Sequence, residues 1–339
     1  MPPVSPPDGP RAVTDADFPQ DGPAEDQLAA MLNWAVHAPS VLNTQPWRFR
    51  VRGSGVGVYV DRARVLQTVD PDGREAVVSC GAALFTLRLA ARHYGFAVRV
   101  AYPAPGADRD LVATLELAGP SRPTPTEEAL FRAVKLRRTN RDPYADLPLP
   151  AGLLGLLRDA ADAEGARLHV VSGEAERAEA AELVAEAVRQ QGEDRATVAE
   201  LRAWLRPTGD RRADGVPDDV QGGWDRLSYL HTEPRFLAAE AARLARDAPA
   251  LLVIATERDG PADWARAGQA LQRVLLTAAS EGLAASYFNQ PTEVPALRHR
   301  LGAVAGPGHA QVALRVGTPV EARGTPRRPV ADVLRPDDV

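Results

Sequence analysis

The chain of 339 residues contains one cysteine, two methionines and six histidines. Because Cys80 is alone, no disulfide can form within the chain, and its apolar surroundings favour a small buried side chain over a catalytic thiol. The histidines show no spacing typical of a metal site. No apolar run approaches the roughly 20 residues that a membrane helix requires. These absences argue against an internally cross-linked domain, a zinc motif and a transmembrane helix.

Charge is spread through the chain rather than concentrated. The formal net charge is −5, with 25% charged and 45% hydrophobic residues, as in an ordinary globular protein. No sustained basic stripe points to nucleic acid, and no acidic tail points to a partner bound through charge. Lys135 is the single lysine among 40 basic residues. Arginine abundance alone is therefore no evidence for phosphate binding.

The first segment, MPPVSPPDGP, is rich in proline and lacks the charged and apolar regions of a signal peptide. Residues 1–24 are therefore predicted to form a disordered lead. With no segment that reads as a signal or a membrane helix, we expect a cytoplasmic protein without membrane contact.

Helix and strand patterns follow from about residue 25. Two long apolar helices are predicted over 75–94 and 262–281, each followed by a glycine and an apolar strand. The stretch WRFRVRGSGVGVYV predicts a hairpin. Its three glycines are not a dinucleotide-binding loop, because their spacing differs and no helix follows. The predicted fold class is α+β, with a mixed sheet flanked by helices.

The two long helices also match each other in sequence. CGAALFTLRLAARHYGFAVRVAY aligns without a gap with AGQALQRVLLTAASEGLAASYFN. Amphipathic helices resemble one another by chance, but paired glycines and a shared helix-to-strand order favour duplication. Residues 25–120 are predicted to be a first repeat and residues 121–339 a second. The aligned glycines are Gly81 with Gly268 and Gly95 with Gly282.

The stretch HAPSVLNTQPWRF lies between a predicted helix and a predicted strand, and it carries more turn residues than a connection needs. Pro39 and Pro46 would fix the backbone, while Ser40, Asn43 and Gln45 would supply polar groups. A rigid polar wall for a ligand is one interpretation. A helix C-cap followed by an Asx turn is another, and the two are compatible.

Two arginine-rich stretches, LRRTNRDPY and RGTPRRP, are candidate anion sites. Guanidinium groups suit a phosphate dianion, and a hydroxyl adds a further donor. A solvated helix end and an exposed tail are the alternatives for each stretch taken alone. The residues concerned are Arg137, Arg138, Thr139, Arg141, Arg327 and Arg328.

Together these stretches resemble motifs of the FMN-dependent nitroreductase family. APSVLNTQPWRF resembles its Ala-Pro-Ser, Asn, Gln-Pro-Trp signature, RRTNRDPY its Arg-Arg-Ser-x-Arg-x-Phe motif, AASEGLAAS its Glu/Gly-Leu-Gly segment, and TPRRP its basic C-terminal element. The resemblance spans about 25–329, with a gap over roughly 191–234. In ordinary members the arginine motif precedes the Ala-Pro-Ser motif within one copy, whereas here the order is reversed. The chain is similar in this to the Acg-like subgroup of actinobacteria, whose members are fused pseudo-dimers.

The resemblance implies a nitroreductase-like fold in which two degenerate repeats pack as an internal pseudo-dimer around one FMN site. Arg137 and Thr139 would hold the phosphate, Arg141 would lie near the pyrimidine, and the backbone at Glu281 and Gly282 would approach N5. No catalytic acid, base or nucleophile and no metal is implied. The implied cofactor-binding residues are Pro39, Ser40, Asn43, Gln45, Arg137, Arg138, Thr139, Arg141, Glu281, Gly282, Arg327 and Arg328.

The implied function is an FMN-dependent oxidoreductase that uses NADH or NADPH to reduce a nitroaromatic, a quinone or a similar small acceptor. Two alternatives stay open: a protein that sequesters or stores FMN, and a flavin dehydrogenase in a biosynthetic pathway. From composition, residues 191–234 fit a surface loop and a lid over the flavin equally well. The resemblance favours the lid, with Trp204 and Trp224 as candidate anchors. An internal pseudo-dimer favours a monomer and leaves a homodimer open.

Overall fold

The computed structural model describes residues 10–104, 106–207, 209–220, 233–321 and 323–335. The described α-helices are α1 (Ala24–Ala35), α2 (Arg74–His93), α3 (Pro125–Ala133), α4 (Leu153–Asp162), α5 (Glu174–Glu193), α6 (Arg195–Ala203), α7 (Pro234–Arg246), α8 (Pro261–Ser280), α9 (Gln290–Glu293), α10 (Pro295–Val304) and α11 (Val330–Val333). The strands are β1 (Trp47–Arg52), β2 (Gly55–Val60), β3 (Phe96–Ala101), β4 (Leu111–Pro120), β5 (Arg167–Val171), β6 (Leu205–Arg206), β7 (Val216–Pro217), β8 (Ala250–Thr256), β9 (Ala284–Tyr287) and β10 (His309–Gly317).

Two four-stranded sheets organise these elements. Their strand orders are β1-β2-β4-β3 and β5-β8-β10-β9, and all neighbouring strands within them are antiparallel. A single parallel bridge joins a distant segment to the edge of each sheet: Leu334 pairs with Phe49 in β1, and Thr139 pairs with Ala285 in β9. The predicted α+β class with flanking helices is confirmed. Both sheets are antiparallel, and the described parallel pairing is confined to these two bridges and the short β6–β7 pair.

Helices α2 and α8 cross at the centre of the molecule, and glycines set their distance. A Cβ on Gly81 would lie 2.2 Å from the carbonyl oxygen of Ala265, and one on Gly268 would lie 2.0 Å from that of Val78. No side chain fits at either point, so the backbones touch there. These are the glycines that the sequence alignment pairs.

Each sheet contributes to a separate apolar core. The first core combines the first sheet with α1, α2 and α3, and the C-terminal helix α11 also enters it through Val330 and Val333. The second sheet is buried on both faces, by α4 and α8 on one side and by α5, α7 and α10 on the other. Helix α3, which the division at residue 121 assigns to the second repeat, therefore packs with the first.

The described part of the N-terminal lead is ordered, unlike the predicted disorder over 1–24. Residues 10–24 lie against the body of the protein, and the Phe18 ring stacks on Tyr94 with centroids 3.7 Å apart. Arg11 donates from Nη2 to the carbonyl oxygen of Thr325 at 3.0 Å. The proline-rich composition predicted disorder, but two apolar side chains of this segment, Val13 and Phe18, are buried against the protein.

Candidate functional site

The corner between α1 and β1 has strained backbone. Leu42, Asn43 and Gln45 have φ angles of 46°, 55° and 50°, and they are the only non-glycine residues with positive φ in the described part of the chain. Such conformations cost roughly 1–3 kcal/mol each and persist only where surrounding contacts enforce them. The strained residues therefore lie within the polar stretch HAPSVLNTQPWRF, which carries more turn residues than a connection needs.

Gln45 is one of the residues that enforce this geometry. Its amide group is fully buried, donating from Nε2 to the carbonyl oxygen of Ala213 at 2.6 Å and accepting at Oε1 from the backbone N–H of Arg328 at 2.9 Å. The backbone N–H of Gln45 donates to Ser40 Oγ at 2.9 Å. Gln45 therefore joins the corner to two distant segments.

Asn43 does the same with a second set of partners. Its Nδ2 donates to the carbonyl oxygens of Gly215, at 2.9 Å, and Pro326, at 3.2 Å. Its Oδ1 accepts from Arg327 Nη1 at 3.1 Å. The side-chain groups of Asn43 and Gln45, expected to face a flavin, thus bind protein groups and brace the corner.

A cavity opens beside this corner, with about 1190 Å³ of empty space including its mouth. Its walls come from the corner, α2, α8, the segment after α3, and β9 with the residues that follow. Of the predicted site residues, it brings together Pro39, Ser40, Asn43, Arg137, Thr139, Arg141 and Arg327. Its other walls include Leu42, Glu75, Val78, Ser79, Gln191, Leu201, Leu271, Ser286, Tyr287, Asn289, Gln290, Glu293 and Gln311.

Arg137 and Arg327 form a buried cationic wall of the cavity. Each donates from Nη2 to the carbonyl oxygen of His37 at 3.3 Å, and the Nε of each has no hydrogen-bond partner among the described residues. In the described structure neither forms an ion pair with a carboxylate. Burial and the Arg137 charge hold the pKa of Arg327 well below its ordinary value. Burial also lowers the pKa of Arg137. Two buried, uncompensated cations require an anion.

Other polar groups converge on the same wall. The Tyr287 hydroxyl is buried and has no hydrogen-bond partner in the part of the chain that the structure describes. Burial raises its pKa despite the nearby arginines. Thr139 and Arg141 line the cavity beside it. A hydroxyl that stays protonated beside two guanidinium groups adds a donor for an anion.

Part of the predicted lid covers the corner. Helix α6 carries Glu200, which accepts from the backbone N–H groups of Thr68, at 2.9 Å, and Val69, at 3.1 Å. Asp214 accepts from Arg64 Nη1 at 2.9 Å and from Arg206 Nη2 at 2.8 Å. The described part of 191–220 is thus tied to the segment after β2 by these contacts, and to the corner by the bonds of Asn43 to Gly215 and of Gln45 to Ala213.

Known proteins resemble this chain over most of its length. The sequence pattern of the Nitroreductase family matches residues 134–318. The Mycobacterium tuberculosis (strain ATCC 25618 / H37Rv) protein named "Putative NAD(P)H nitroreductase Rv3131" is 33% identical over 323 residues, 92% of each chain. From the same strain, "Putative NAD(P)H nitroreductase acg" is 30% identical, over 91% of this chain and 95% of its own. The chain belongs to the nitroreductase family.

Solved structures of nitroreductases also align with this family member. The FMN and NADPH-dependent nitroreductase NfnB from Sphigopyxis sp. strain HMH is 21% identical, with a TM-score of 0.40, over 62% of this chain and 99% of its own. A nitroreductase with bound FMN from Bacteroides fragilis NCTC 9343 is 16% identical, with a TM-score of 0.37, over 59% and 92%.

Some predicted site residues of this family member lie outside the cavity. Glu281 and Gly282 are exposed in the turn after α8, where Gly282 has a φ of 75°, and the wall is formed instead by Ser286 and Tyr287 of β9. Helix α8 must end before the strand can begin, and the positive-φ glycine serves that turn. Gln45, Arg138 and Arg328 are also absent from the wall.

Arg138 and Arg328 support the site from behind. Arg138 donates from Nη1 to the carbonyl oxygens of Lys135 and Arg137. Arg328 donates from Nη1 to the carbonyl oxygen of Gln45 at 3.2 Å. Both guanidinium groups thus hold backbone in place.

The predicted tryptophan anchors have different outcomes. Trp204 lies under Arg206 and Arg64, whose guanidinium carbons are 5.4 and 5.9 Å from its ring centroid, and it packs beside Leu201 rather than in the cavity. Trp224 lies outside the described residues.

The carboxyl groups of Glu75 and Glu293 are cavity residues that the sequence reasoning missed. Glu75 read as an ordinary first-turn helix residue, and Glu293 follows β9 in the stretch NQPTE. That stretch places Asn289, Gln290 and Pro291 directly after a buried strand, a polar proline corner like the one at 43–46. The same composition argument could have found it.

Two expected absences can be described. No helix in the described ranges is long and apolar enough to cross a bilayer. The described residues also include no cluster of three or more His, Cys, Asp or Glu arranged to hold a metal ion. Cys80 is a buried free thiol, and burial raises its pKa, as expected for a small apolar residue.

Proposed function

We propose that this chain is an FMN-dependent oxidoreductase that takes hydride from NADH or NADPH and reduces a small acceptor such as a nitroaromatic or a quinone. The observation that carries the proposal is the pair of buried guanidinium groups, Arg137 and Arg327, which line one cavity and whose Nε atoms have no hydrogen-bond partner among the described residues. The names of the relatives, which call them putative NAD(P)H nitroreductases, support the choice of hydride donor.

The cavity fits FMN in chemical terms. Arg137 and Arg327, with the hydroxyl groups of Thr139 and Tyr287, would hold the dianionic phosphate. Bound FMN would supply hydride transfer, and the protein supplies its position and its electrostatic surroundings. A phosphate on this wall would supply the negative charge that Arg137 and Arg327 do not find among the described residues.

The ring would have a rigid, partly apolar setting. Pro39 and Ser40 stand on the strained corner, and Val78 and Leu271 contribute apolar wall from α2 and α8. Arg141 would lie at the pyrimidine, where a positive charge stabilises an anionic reduced ring. The donor and then the acceptor would stack in turn on the open face.

A single site at an internal interface is part of the proposal. The corner belongs to the first sheet, while Arg137, Tyr287 and Arg327 come from segments that follow it or belong to the second. The reciprocal glycine contacts of α2 and α8 support two related halves. A chain with both halves of one site works as a monomer.

One observation favours a second function, FMN sequestration. The described lid segment is latched to the corner through Asn43, Gln45 and Asp214. A lid held this firmly would slow the exchange of flavin and the entry of nicotinamide.

Anaerobic titration of the purified protein with NADPH separates the two functions. The visible absorption spectrum reports bound flavin, and its bleaching reports reduction. Bleaching followed by reoxidation with a quinone supports the reductase. A flavin spectrum that stays yellow supports sequestration. A protein that binds no FMN, even after reconstitution, refutes both.

A further inference from the structure

Glu75 and Glu293 bring two carboxyl groups to the cavity wall, and the proposed cofactor contacts use neither. Glu75 Oε1 accepts from Asn289 Nδ2 and Thr292 Oγ1, each at 3.2 Å. Glu293 Oε2 accepts from Gln191 Nε2 at 2.5 Å. Glu75 is 3% exposed, yet its second oxygen, Oε2, has no hydrogen-bond donor in the described structure.

The charges around this pair do not balance unless a proton is present. Arg74 Nη2 contacts Glu75 Oε1 at 2.9 Å, and Asp70 accepts the backbone N–H groups of Glu75 and Ala76. In the protein interior, one guanidinium group, that of Arg74, thus faces three carboxyl groups, those of Asp70, Glu75 and Glu293. Burial and the Glu75 charge raise the pKa of Glu293 well above its ordinary value, and burial raises that of Glu75. Two more charged groups lie on the far side of Gln311. Its side chain accepts a hydrogen bond from Arg298 and donates one to Asp259.

A proton held between the two glutamates explains both observations. It would neutralise the excess negative charge, and it would give Glu75 Oε2 the donor that it lacks. Two carboxyl groups that share one proton at neutral pH are a known source of acid catalysis. The pair also faces the volume in which an acceptor would bind.

We propose that Glu75 and Glu293 share one proton and donate it to the acceptor during its reduction. This rests on the proposed function. A quinone that accepts a hydride on one oxygen from the reduced cofactor needs one proton on the other oxygen to become a hydroquinone. The glutamate pair supplies that proton, is left fully ionised, and regains a proton from water. A rival role is a subsite for a cationic acceptor, which would need the pair ionised from the start.

The proton itself can be detected without cofactor. Infrared spectra of the apoprotein at pH 7 should contain a protonated-carboxyl C=O band that remains in Asp70→Asn, which removes the contribution of Asp70. That band should be lost in both Glu75→Gln and Glu293→Gln. The band should persist in Glu174→Gln, a change on an exposed residue of α5. A spectrum unchanged in both cavity variants would show that the pair carries no proton and would overturn the proposal.

Proton delivery is tested in the oxidative half-reaction. Photoreduced, FMN-loaded protein would be mixed with menadione, which needs a proton, and with ferricyanide, which takes electrons only. In the wild type the menadione rate should be high at low pH and fall as the pair ionises. Glu293→Gln should lower the rate about 100-fold and flatten this profile, leaving the ferricyanide rate unchanged.

Other outcomes have separate meanings. An unchanged menadione profile in Glu293→Gln, or an equal loss with both acceptors, overturns the proton-donor role. Glu293→Asp, which keeps the acid, should recover part of the menadione rate. Failure of the wild type to retain FMN or to reduce menadione at all would instead refute the proposed function, and the infrared result would still stand.

Discussion

Replacing Arg137 with glutamine should weaken FMN binding strongly while making the apoprotein more stable. Arg137 is buried beside Arg327, and in the described structure no carboxylate balances either charge. Glutamine keeps a donor for the His37 carbonyl oxygen but removes the charge. The change therefore relieves repulsion in the empty protein and removes attraction in the loaded one.

The size of the change in FMN affinity follows from the number of hydrogen bonds that Arg137 would donate to the phosphate. A charge-assisted hydrogen bond contributes roughly 1.5–3 kcal/mol, and burial removes solvent screening. Loss of one such bond to the phosphate should raise the Kd for FMN by about 10- to 150-fold, because 1.4 kcal/mol is a factor of about ten. Two lost bonds would approach the product of two such factors.

Flavin fluorescence quenching measures the Kd, and thermal unfolding of the apoprotein measures stability. Arg132→Gln, a change to an exposed arginine on α3, is the matched control and should alter neither quantity. An Arg137→Gln protein whose Kd lies within twofold of the wild type would refute the phosphate assignment. Riboflavin, which lacks the phosphate, should bind both proteins equally.

Three further predictions concern the fold, the carboxyl cluster and the lid. Gly81→Ala should lower the free energy of unfolding, measured by urea titration, by about 3 kcal/mol or more, because its Cβ would overlap a facing carbonyl oxygen. The control Gly155→Ala, in open space on α4, should be neutral or stabilising. Burial and the Glu75 charge raise the pKa of Asp70 to about 7, so the folded protein holds a proton that the unfolded chain releases near pH 4. Stability should therefore fall from about pH 4 to 7, by up to about 1.4 kcal/mol per pH unit, and Asp70→Asn should reduce that slope; an unchanged slope would contradict the assignment. Asp214→Asn should speed FMN release about tenfold in stopped-flow dilution, because it removes the ion pair with Arg64 that holds the lid. Asp210→Asn, which breaks a contact within the loop only, should leave the release rate unchanged. Equal release rates in the two variants would argue against this role of Asp214.

Local pattern was enough to predict the elements that dominate the fold. The two long helices, the hairpin at 47–60 and the glycine that ends each helix follow from periodicity and turn chemistry. The polar corner and the arginine stretches were also found, since several unusual residue types occur there within a few positions. Their convergence on one cavity came from the family resemblance rather than from pattern.

Features that depend on tertiary packing could not be predicted in this way. The amides of Asn43 and Gln45 look available in the sequence, and only their distant partners show that they are used. Helix α6 buries little more than Thr197 and Leu201, so its apolar pattern is weak. Glu75 becomes unusual only because Glu293 is brought to it from 218 residues away along the chain.

The bracing of the corner also sets the order in which the site can be made. Arg327 contacts Asn43 across 284 residues of chain, and Arg328 contacts Gln45 across 283. On the ribosome, the left-handed backbone at Leu42 and Asn43 has no such support until residues 327 and 328 have emerged. A nascent chain that stops before them cannot lock the corner. The cavity wall therefore waits for a segment that is made long after the corner itself.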